Sequence, residues 1–427
     1  VATINGTDAT DVLDGTATAD WIYGRRGDDR LSGAAGNDRL FGDDGDDWLE
    51  GGNGNDRLTG GKGDDAFIGG AGDDTFDGNS GVEDHDWVGY DEERGTQGVS
   101  VNLATGFAID SYGNADTLID IEEVSGTEFN DVLTGGNPQN DNWESFYGAR
   151  GADTINGGSG FDAVTYVFDY FSGGEMGIVL NWGAGTVRDG FGDIDRISSV
   201  EMVTGTIYSD AMTGNSQDNR FDPRFGNDVI SGGNGFDLVS YRGDVAFAQR
   251  NGFSARGIVA DMADGLIYDV RGYADWISSI EDIMGSALGD EIRGNGSANY
   301  LDGYLDDDVL AGRGGNDTIF GDHGHDRIYG GAGNDLLIGS TGDDVLRGGA
   351  GTDTFMIELI CDTDRIRDYQ KGIDRIDVSA FGFASGAAVL ALAVQQGSDV
   401  VIELSADSFI EFVGTAKSGI SAADFLV

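Results

Sequence analysis

One spacing constrains this chain more than any other feature: from Gly6 a nine-residue unit recurs without a slip at positions 6, 15, 24, 33, 42, 51, 60 and 69. Typical units read GRRGDDRLS, GAAGNDRLF and GGNGNDRLT. The sixth place holds Asp11, Asp20, Asp29, Asp38, Asp47, Asp56, Asp65 and Asp74, and the eighth holds Leu13, Ile22, Leu31, Leu40, Leu49, Leu58, Phe67 and Phe76. A second run in the same register starts at Gly285 and continues to Met356, with Asp290, Asn299, Asp308, Asp317, Asp326, Asp335, Asp344 and Asp353 at the sixth place. The physics of such a unit is simple. Glycines at the first and fourth places allow positive φ and close backbone approach, so the loop can curl its carbonyls inward. The last three residues are extended, the eighth pointing in and the seventh and ninth out. Two units make one coil of loop, strand, loop, strand.

Equivalent aspartates on successive coils then lie about 4.8 Å apart, one strand spacing. At an effective dielectric of ~20 two such charges repel by roughly 3.5 kcal/mol, so an empty coil should open. The whole chain repeats the problem: 427 residues carry 77 acidic against 25 basic side chains, a net charge of −52. Nucleic acid and anionic membranes would be repelled. Hard divalent cations with oxygen ligands fit best. With 39% hydrophobic and 10% aromatic residues, the chain is no solvated tail. Cys361 is the only cysteine, which excludes an intrachain disulfide and a cysteine zinc cluster. Outside a cell, metal would have to supply the staple.

The pattern G-G-x-G-x-D-x-U-x resembles the repeat of the RTX family (repeats-in-toxin, haemolysin-type calcium-binding). That resemblance implies an all-β fold, a right-handed parallel β-roll or β-helix solenoid of calcium-binding nonapeptide repeats with a β-rich C-terminal cap. It implies Ca²⁺ as the cofactor, on the order of 16 ions. The expected metal residues are Asp29, Asp38, Asp47, Asp56, Asp65, Asp74, Asp290, Asp308, Asp317, Asp326, Asp335, Asp344 and Asp353. The first two units lack the fourth-place glycine (Ala9 and Thr18) and read as an N-terminal cap with weak or no calcium.

Between the runs lies a longer repeat, GVSVNLATGFAID from Gly98, GIVLNWGAGTVRD from Gly177 and GIVADMADGLIYD from Gly257. Each copy is followed by a matching stretch from Asp116, Asp195 or Asp275 and then by nine-residue units. The alternation is strand-like, so we expect longer solenoid rungs interrupted by short β-inserts. Asp131, Asp153, Asp162, Asp210, Asp228 and Asp237 are the metal candidates there. Gly135 to Tyr147, with Pro138 and Trp143, departs from register and reads as a bulging loop. The expected divisions are an N-terminal roll (1–80), the threefold ~80-residue repeat (81–284), a second roll (285–356) and a cap with secretion signal (357–427).

In the last division, DRIRDYQKGIDRIDVSAF from Asp364 resembles the segment after the roll of serralysin-type proteases. Strands are expected in AVLALAV from Ala388, DVVIEL from Asp399 and SFIEFVG from Ser408. They would cap an edge that otherwise invites aggregation. The ending Asp424-Phe425-Leu426-Val427 resembles an uncleaved type I export signal, with a buried terminal strand as the alternative. Val1 to Asp8 has neither the basic patch nor the apolar stretch of a cleavable signal peptide. The missing initial methionine suggests that upstream residues were removed, and no run approaches a membrane helix.

Catalytic motifs are not found. His85, His323 and His325 form no H-E-x-x-H helix and there is no G-x-S-x-G elbow. His323 and His325, in GDHGHDRIY, could take a softer metal but read as solvated loop residues. Arg30, Arg39 and Arg57 alternate with Trp21, Trp48 and Phe41 on outward strand positions, a tolerated surface or an adhesive one. The sequence therefore points to a non-enzymatic, secreted calcium-binding structural or surface protein, of extracellular layer, matrix or adhesin type. Its partners would be calcium, type I secretion machinery and either itself or cell-surface polysaccharide. The alternative is the calcium-binding secretion module of a larger extracellular enzyme whose catalytic domain lies upstream.

Overall fold

The computed structural model describes residues 1–79, 84–136 and 143–427. They form two compact units, Val1–Ile207 and Tyr208–Val427. Each is a parallel β-roll. In the first, Trp21–Arg26 pairs in parallel with Arg39–Asp44, which pairs with Arg57–Lys62. On the opposite sheet, Arg30–Ser32, Trp48–Asn53 and Ala66–Ala71 stack in the same way. Register advances by 18 residues, or two units, per coil (Ile22↔Leu40, Leu40↔Leu58, Leu31↔Leu49). The second unit repeats this with Val309–Gly314, Arg327–Ala332 and Val345–Ala350 facing Thr318–Phe320, Leu336–Ile338 and Thr354–Met356.

The core follows from the eighth place. Leu31, Leu40, Leu49, Leu58, Phe67 and Phe76 are fully buried, as are Leu310, Ile319, Ile328, Leu337, Leu346 and Phe355. Their neighbours on either side point outward because side chains alternate along a strand.

The inserts are three-stranded antiparallel meanders built into one sheet. In the first copy Ser100–Asn102, Phe107–Ile109 and Ala115–Ile119 pair antiparallel. The outer two strands resume parallel pairing, Ala115–Ile119 on Thr75–Asp77 and Ser100–Asn102 on Val132–Thr134. The copies Val179–Asn181, Thr186–Arg188, Ile194–Ser198 and Val259–Asp261, Leu266–Tyr268, Ala274–Ser278 repeat the arrangement. Parallel pairs cross the positions where the repeat changes character, for example Trp87–Gly89 on Ala66–Ala71 and Val345–Ala350 on Asp362–Ile366.

Two expectations are corrected. Trp143–Tyr147 is a strand, not a loop, lying between Glu123–Ser125 and Phe161–Thr165. Glu144 (2% exposed) and Phe146 (0%) take the inward places that aspartate and leucine hold elsewhere. Pro138 lies outside the described residues. Near the C-terminus, Gly386–Ala391 is an α-helix rather than a strand. Alanine and leucine are good helix formers, and the Ser385 hydroxyl caps the helix by accepting the Ala388 N–H. Asp399–Ser405 and Ser408–Phe412 are strands as expected, the latter pairing with Asp362–Ile366. The chain end packs too: Phe425–Leu426 pairs in parallel with Arg375–Asp377, and buried Asp424 accepts from Ser421 and from the Tyr369 hydroxyl.

Candidate calcium loops

In the two regular runs a sixth-place aspartate uses one carboxylate oxygen to hold its stack, whereas Asp162 in the middle region leaves both of its oxygens open. The backbone N–H of Asp29 donates to Asp47 Oδ1 (2.7 Å), Asp38 to Asp56 (2.7 Å), Asp47 to Asp65 (2.9 Å) and Asp56 to Asp74 (2.7 Å). Asp290, Asp308 and Asp326 donate in turn to Asp308, Asp326 and Asp344 (2.7–2.8 Å), and Asp317 and Asp335 to Asp335 and Asp353 (2.9 and 3.1 Å). The other oxygen is left over. Oδ2 is buried without a partner among the described residues in Asp29, Asp38, Asp47, Asp56, Asp65, Asp74, Asp153, Asp162, Asp228, Asp237, Asp308, Asp317, Asp326, Asp335, Asp344 and Asp353.

A buried carboxylate oxygen with no donor is costly. Burial, reinforced by neighbouring carboxylates, pushes Asp47 and Asp326 up to about 7, Asp65 and Asp74 to about 8, and Asp153 and Asp308 to about 9. The space beside Oδ2 is a cradle that only glycine leaves open. A Cβ on Gly42 would lie 2.2 Å from Asp47 Oδ2 and 2.8 Å from the Gly60 carbonyl oxygen; on Gly24 it would lie 2.4 Å from Asp29 Oδ2. Carboxylate and carbonyl oxygens thus converge, the donor set of a hard cation such as Ca²⁺. No group of three or more His, Cys, Asp or Glu side chains forms a metal site among the described residues, so backbone carbonyls would have to complete the shell.

The first-place glycine is therefore needed for close approach rather than for positive φ. Positive φ falls at the fourth place (Gly27 +102°, Gly45 +141°) and, unexpectedly, at the second, where Arg25 (+90°), Ala34 (+69°) and Asp43 (+78°) adopt it.

Three expected metal residues differ from the rest. Asp131 is already satisfied: Thr127 donates its N–H to Oδ2 (2.6 Å) and its hydroxyl to Oδ1 (2.9 Å). Ser286 does the same for Asp290 (2.6 and 2.9 Å). The first two units share this chemistry, with Thr7 on Asp11 and Thr16 on Asp20. The signal was in the sequence: these loops have Ala9, Thr18, Phe129 and Leu288 at the fourth place, and the loop before Asp210 has Tyr208. Asp210 itself donates its N–H to Asp228 Oδ1 (2.8 Å).

Other stacked acids were missed. Asp86, Asp116, Asp195, Asp275 and Asp374 accept the N–H of Asp65, Asp74, Asp153, Asp228 and Asp353. Longer rungs hide them from a nine-residue count. The spacing from carboxylate to inward apolar residue is kept, as in Asp116–Leu118 and Asp195–Ile197.

The outward arginines are engaged locally: Arg39 lies over Trp21 (4.8 Å), Arg30 over Trp48 (5.5 Å), and Arg57 pairs with Asp77 (2.8 Å). His325 Nδ1 accepts the Asp343 N–H (2.9 Å) and His323 bonds Thr341. His85 packs edge-on against Trp143 (5.0 Å).

The fold and these loops define a calcium-binding parallel β-roll. A family model for the RTX calcium-binding nonapeptide repeat matches residues 5–40, 41–76, 143–164, 204–239, 284–319, 304–337 and 329–356. The chain carries RTX calcium-binding nonapeptide repeats in both units. Among solved structures it is similar to the extracellular lipase LipA from Serratia marcescens, with 16% identity over 56% of this chain and 46% of that one (TM-score 0.26). It spans less than half of that lipase. It is also similar to the AlgE6R3 subunit of the Azotobacter vinelandii mannuronan C5-epimerase, with 31% identity over 31% of this chain and 80% of that one (TM-score 0.20). No curated protein matches.

Proposed function

We propose that this chain is a secreted calcium-binding structural or surface protein, exported through type I machinery and folded by Ca²⁺ outside the cell. The carrying observation is the set of buried Oδ2 atoms without partners. A roll holding that much unneutralised charge needs a cation. Extracellular modules bind Ca²⁺ with Kd of roughly 10⁻⁴–10⁻³ M, so the chain stays open at cytosolic calcium and folds outside by mass action. The sixteen loops with an open Oδ2 are the calcium loops in this reading, and those of Asp131, Asp210 and Asp290 are not.

An adhesive role has its own support. A groove of about 380 Å³ in the first unit is lined by Trp87, Tyr147, Phe168 and Phe171 together with Asp91 and Glu123. Aromatic faces beside polar groups suit sugar rings. Burial raises Asp91 and brings Glu123 up to about 7, which favours a neutral saccharide. Retention of the calcium-loaded protein on a neutral polysaccharide matrix should be lost in Trp87→Ala; equal retention of both proteins sinks this part. Intact mass from the native source tests the class. A value near 44.7 kDa supports a free-standing protein, and several hundred further residues bearing a zinc or nucleophile motif would make it an enzyme's module.

A further inference from the structure

The three meander copies bury one constellation that lies outside every nine-residue loop. Tyr90, Tyr166 and Tyr241 (0–1% exposed) donate their hydroxyls to Oδ2 of Asp116, Asp195 and Asp275 (3.2, 3.0 and 2.8 Å). Three residues after each tyrosine stands a second acid (Glu93, Asp169, Asp244), and six before each aspartate a third (Asp110, Asp189, Asp269). Three carboxylates thus gather behind one phenol, and each copy treats them differently.

The first copy satisfies them with neutral donors. Ser111 donates its hydroxyl to Glu93 Oε2 (2.6 Å) and its N–H to the same atom (3.3 Å), and the Gly70 N–H donates to Oε1 (3.3 Å). The Asn114 side chain donates to Asp110 Oδ2 (3.0 Å). The third copy also leaves two oxygens open, Asp244 Oδ2 and Asp269 Oδ2, but it supplies a fixed cation, Arg224, whose Nη1 reaches Asp244 Oδ1 (3.1 Å). The second copy has Gly190 where the first has Ser111, and Asp193 where it has Asn114. Both donors are gone. Asp189 Oδ1 accepts three N–H groups (Phe191, Gly192, Asp193) and Asp169 Oδ2 accepts that of Gly190 (2.8 Å). Asp169 Oδ1 and Asp189 Oδ2 accept no hydrogen bond, on residues 1% and 0% exposed, although the Tyr147 hydroxyl, bonded to that of Ser172 (3.3 Å), also acts on the Asp169 carboxyl. No Lys or Arg among the described residues is ion-paired with Asp169, Asp189 or Asp195.

We propose that Asp169 Oδ1 and Asp189 Oδ2 hold a further calcium ion, with backbone carbonyl oxygens completing its shell, at a site distinct from the RTX loops. Two buried carboxylate oxygens that accept no hydrogen bond are costly to leave bare, and a bound cation would offset that cost. An all-oxygen set with no nitrogen or sulfur selects a hard one, and irregular loop geometry suits Ca²⁺ better than Mg²⁺, which demands a near-ideal octahedron.

Native mass spectrometry of the full chain equilibrated with Ca²⁺ counts single ions. Asp169→Asn/Asp189→Asn should bind one ion fewer than wild type. Asp193→Asn, at an exposed position, gives Asp189 the amide donor that Asn114 gives Asp110. It should also lose one ion while keeping the calcium-induced β-spectrum, so the test survives if the double variant fails to fold. Asp110→Asn should leave the count unchanged. An unchanged count in folded Asp193→Asn, or an equal loss in Asp110→Asn, overturns the proposal. A wild-type count near zero would instead refute the calcium reading of the RTX loops, so the two failures are distinguishable.

Discussion

At Gly27, Gly45 and Gly63 the backbone takes φ of +102°, +141° and +108°, and each of those loops leaves Oδ2 of Asp29, Asp47 or Asp65 open and buried. Where Phe129 or Leu288 stands at the same place, the loop instead turns the N–H and hydroxyl of Thr127 or Ser286 onto the carboxylate. A left-handed fourth residue thus goes with a cation cradle, and its absence with a closed loop. Asp306 shows that the conformation matters more than the residue type, since it takes φ +72° at the fourth place before the open Asp308. Asp56→Asn should therefore raise the Ca²⁺ midpoint of folding, costing about 1.5–3 kcal/mol as the loss of a contact to a charged group. Asp131→Asn should cost about 1 kcal/mol at every calcium level and leave the ion count unchanged; calcium-titrated urea melts separate the two. Gly42→Ala should cost a calcium site, because its Cβ would fall 2.2 Å from Asp47 Oδ2, and equilibrium dialysis reads that directly. The roll and most of its loops could be read from spacing alone, because fixed-length coils make sequence period equal spatial register. Asp131 and Asp290 share the sixth place with the open loops but accept from Thr127 and Ser286, because the sixth place names the carboxylate while the fourth sets the loop.

Each meander keeps two strands of the parallel ladder and adds one between them, so the sheet continues through about 80 residues of irregular sequence. The alternation of VSVNL and IVLNW announced strands, but not that the middle one runs antiparallel within the same sheet. Trp143–Tyr147 escaped notice because its acid is Glu144, whose longer side chain reaches back to the Gly136 N–H (2.8 Å). The helix Gly386–Ala391 escaped because a short apolar run fits either period. At the C-terminal end, Phe425 (6% exposed) and its strand cover Arg375–Asp377. Phe425→Ala should cost about 3–5 kcal/mol and promote aggregation by freeing a sheet edge; thermal melts with light scattering check both. Retained stability would mean that the terminus is carried passively.

Over the whole chain a charge of −52 is folded into rolls whose inner carboxylates find too few donors. Protons and calcium compete for the same oxygens, and the sign of the pH effect follows. The carboxyls of Asp47, Asp56, Asp65 and Asp74 titrate at about 7, 6, 8 and 8 when folded, above their unfolded values. They bind protons more tightly in the roll, so without metal their contribution is fully present below the usual carboxylate range. It is lost as pH rises through about 6 to about 8. In EGTA the chain should hold more β-structure at pH 5 than at pH 8. With Ca²⁺ the trend should reverse, since binding requires the deprotonated carboxylate. The most direct test of calcium-coupled folding is far-UV circular dichroism of the full chain at pH 7.5, first in EGTA and then in millimolar Ca²⁺. The account predicts a coil spectrum that converts to β-structure on adding the ion. The same β-spectrum in both conditions would contradict it.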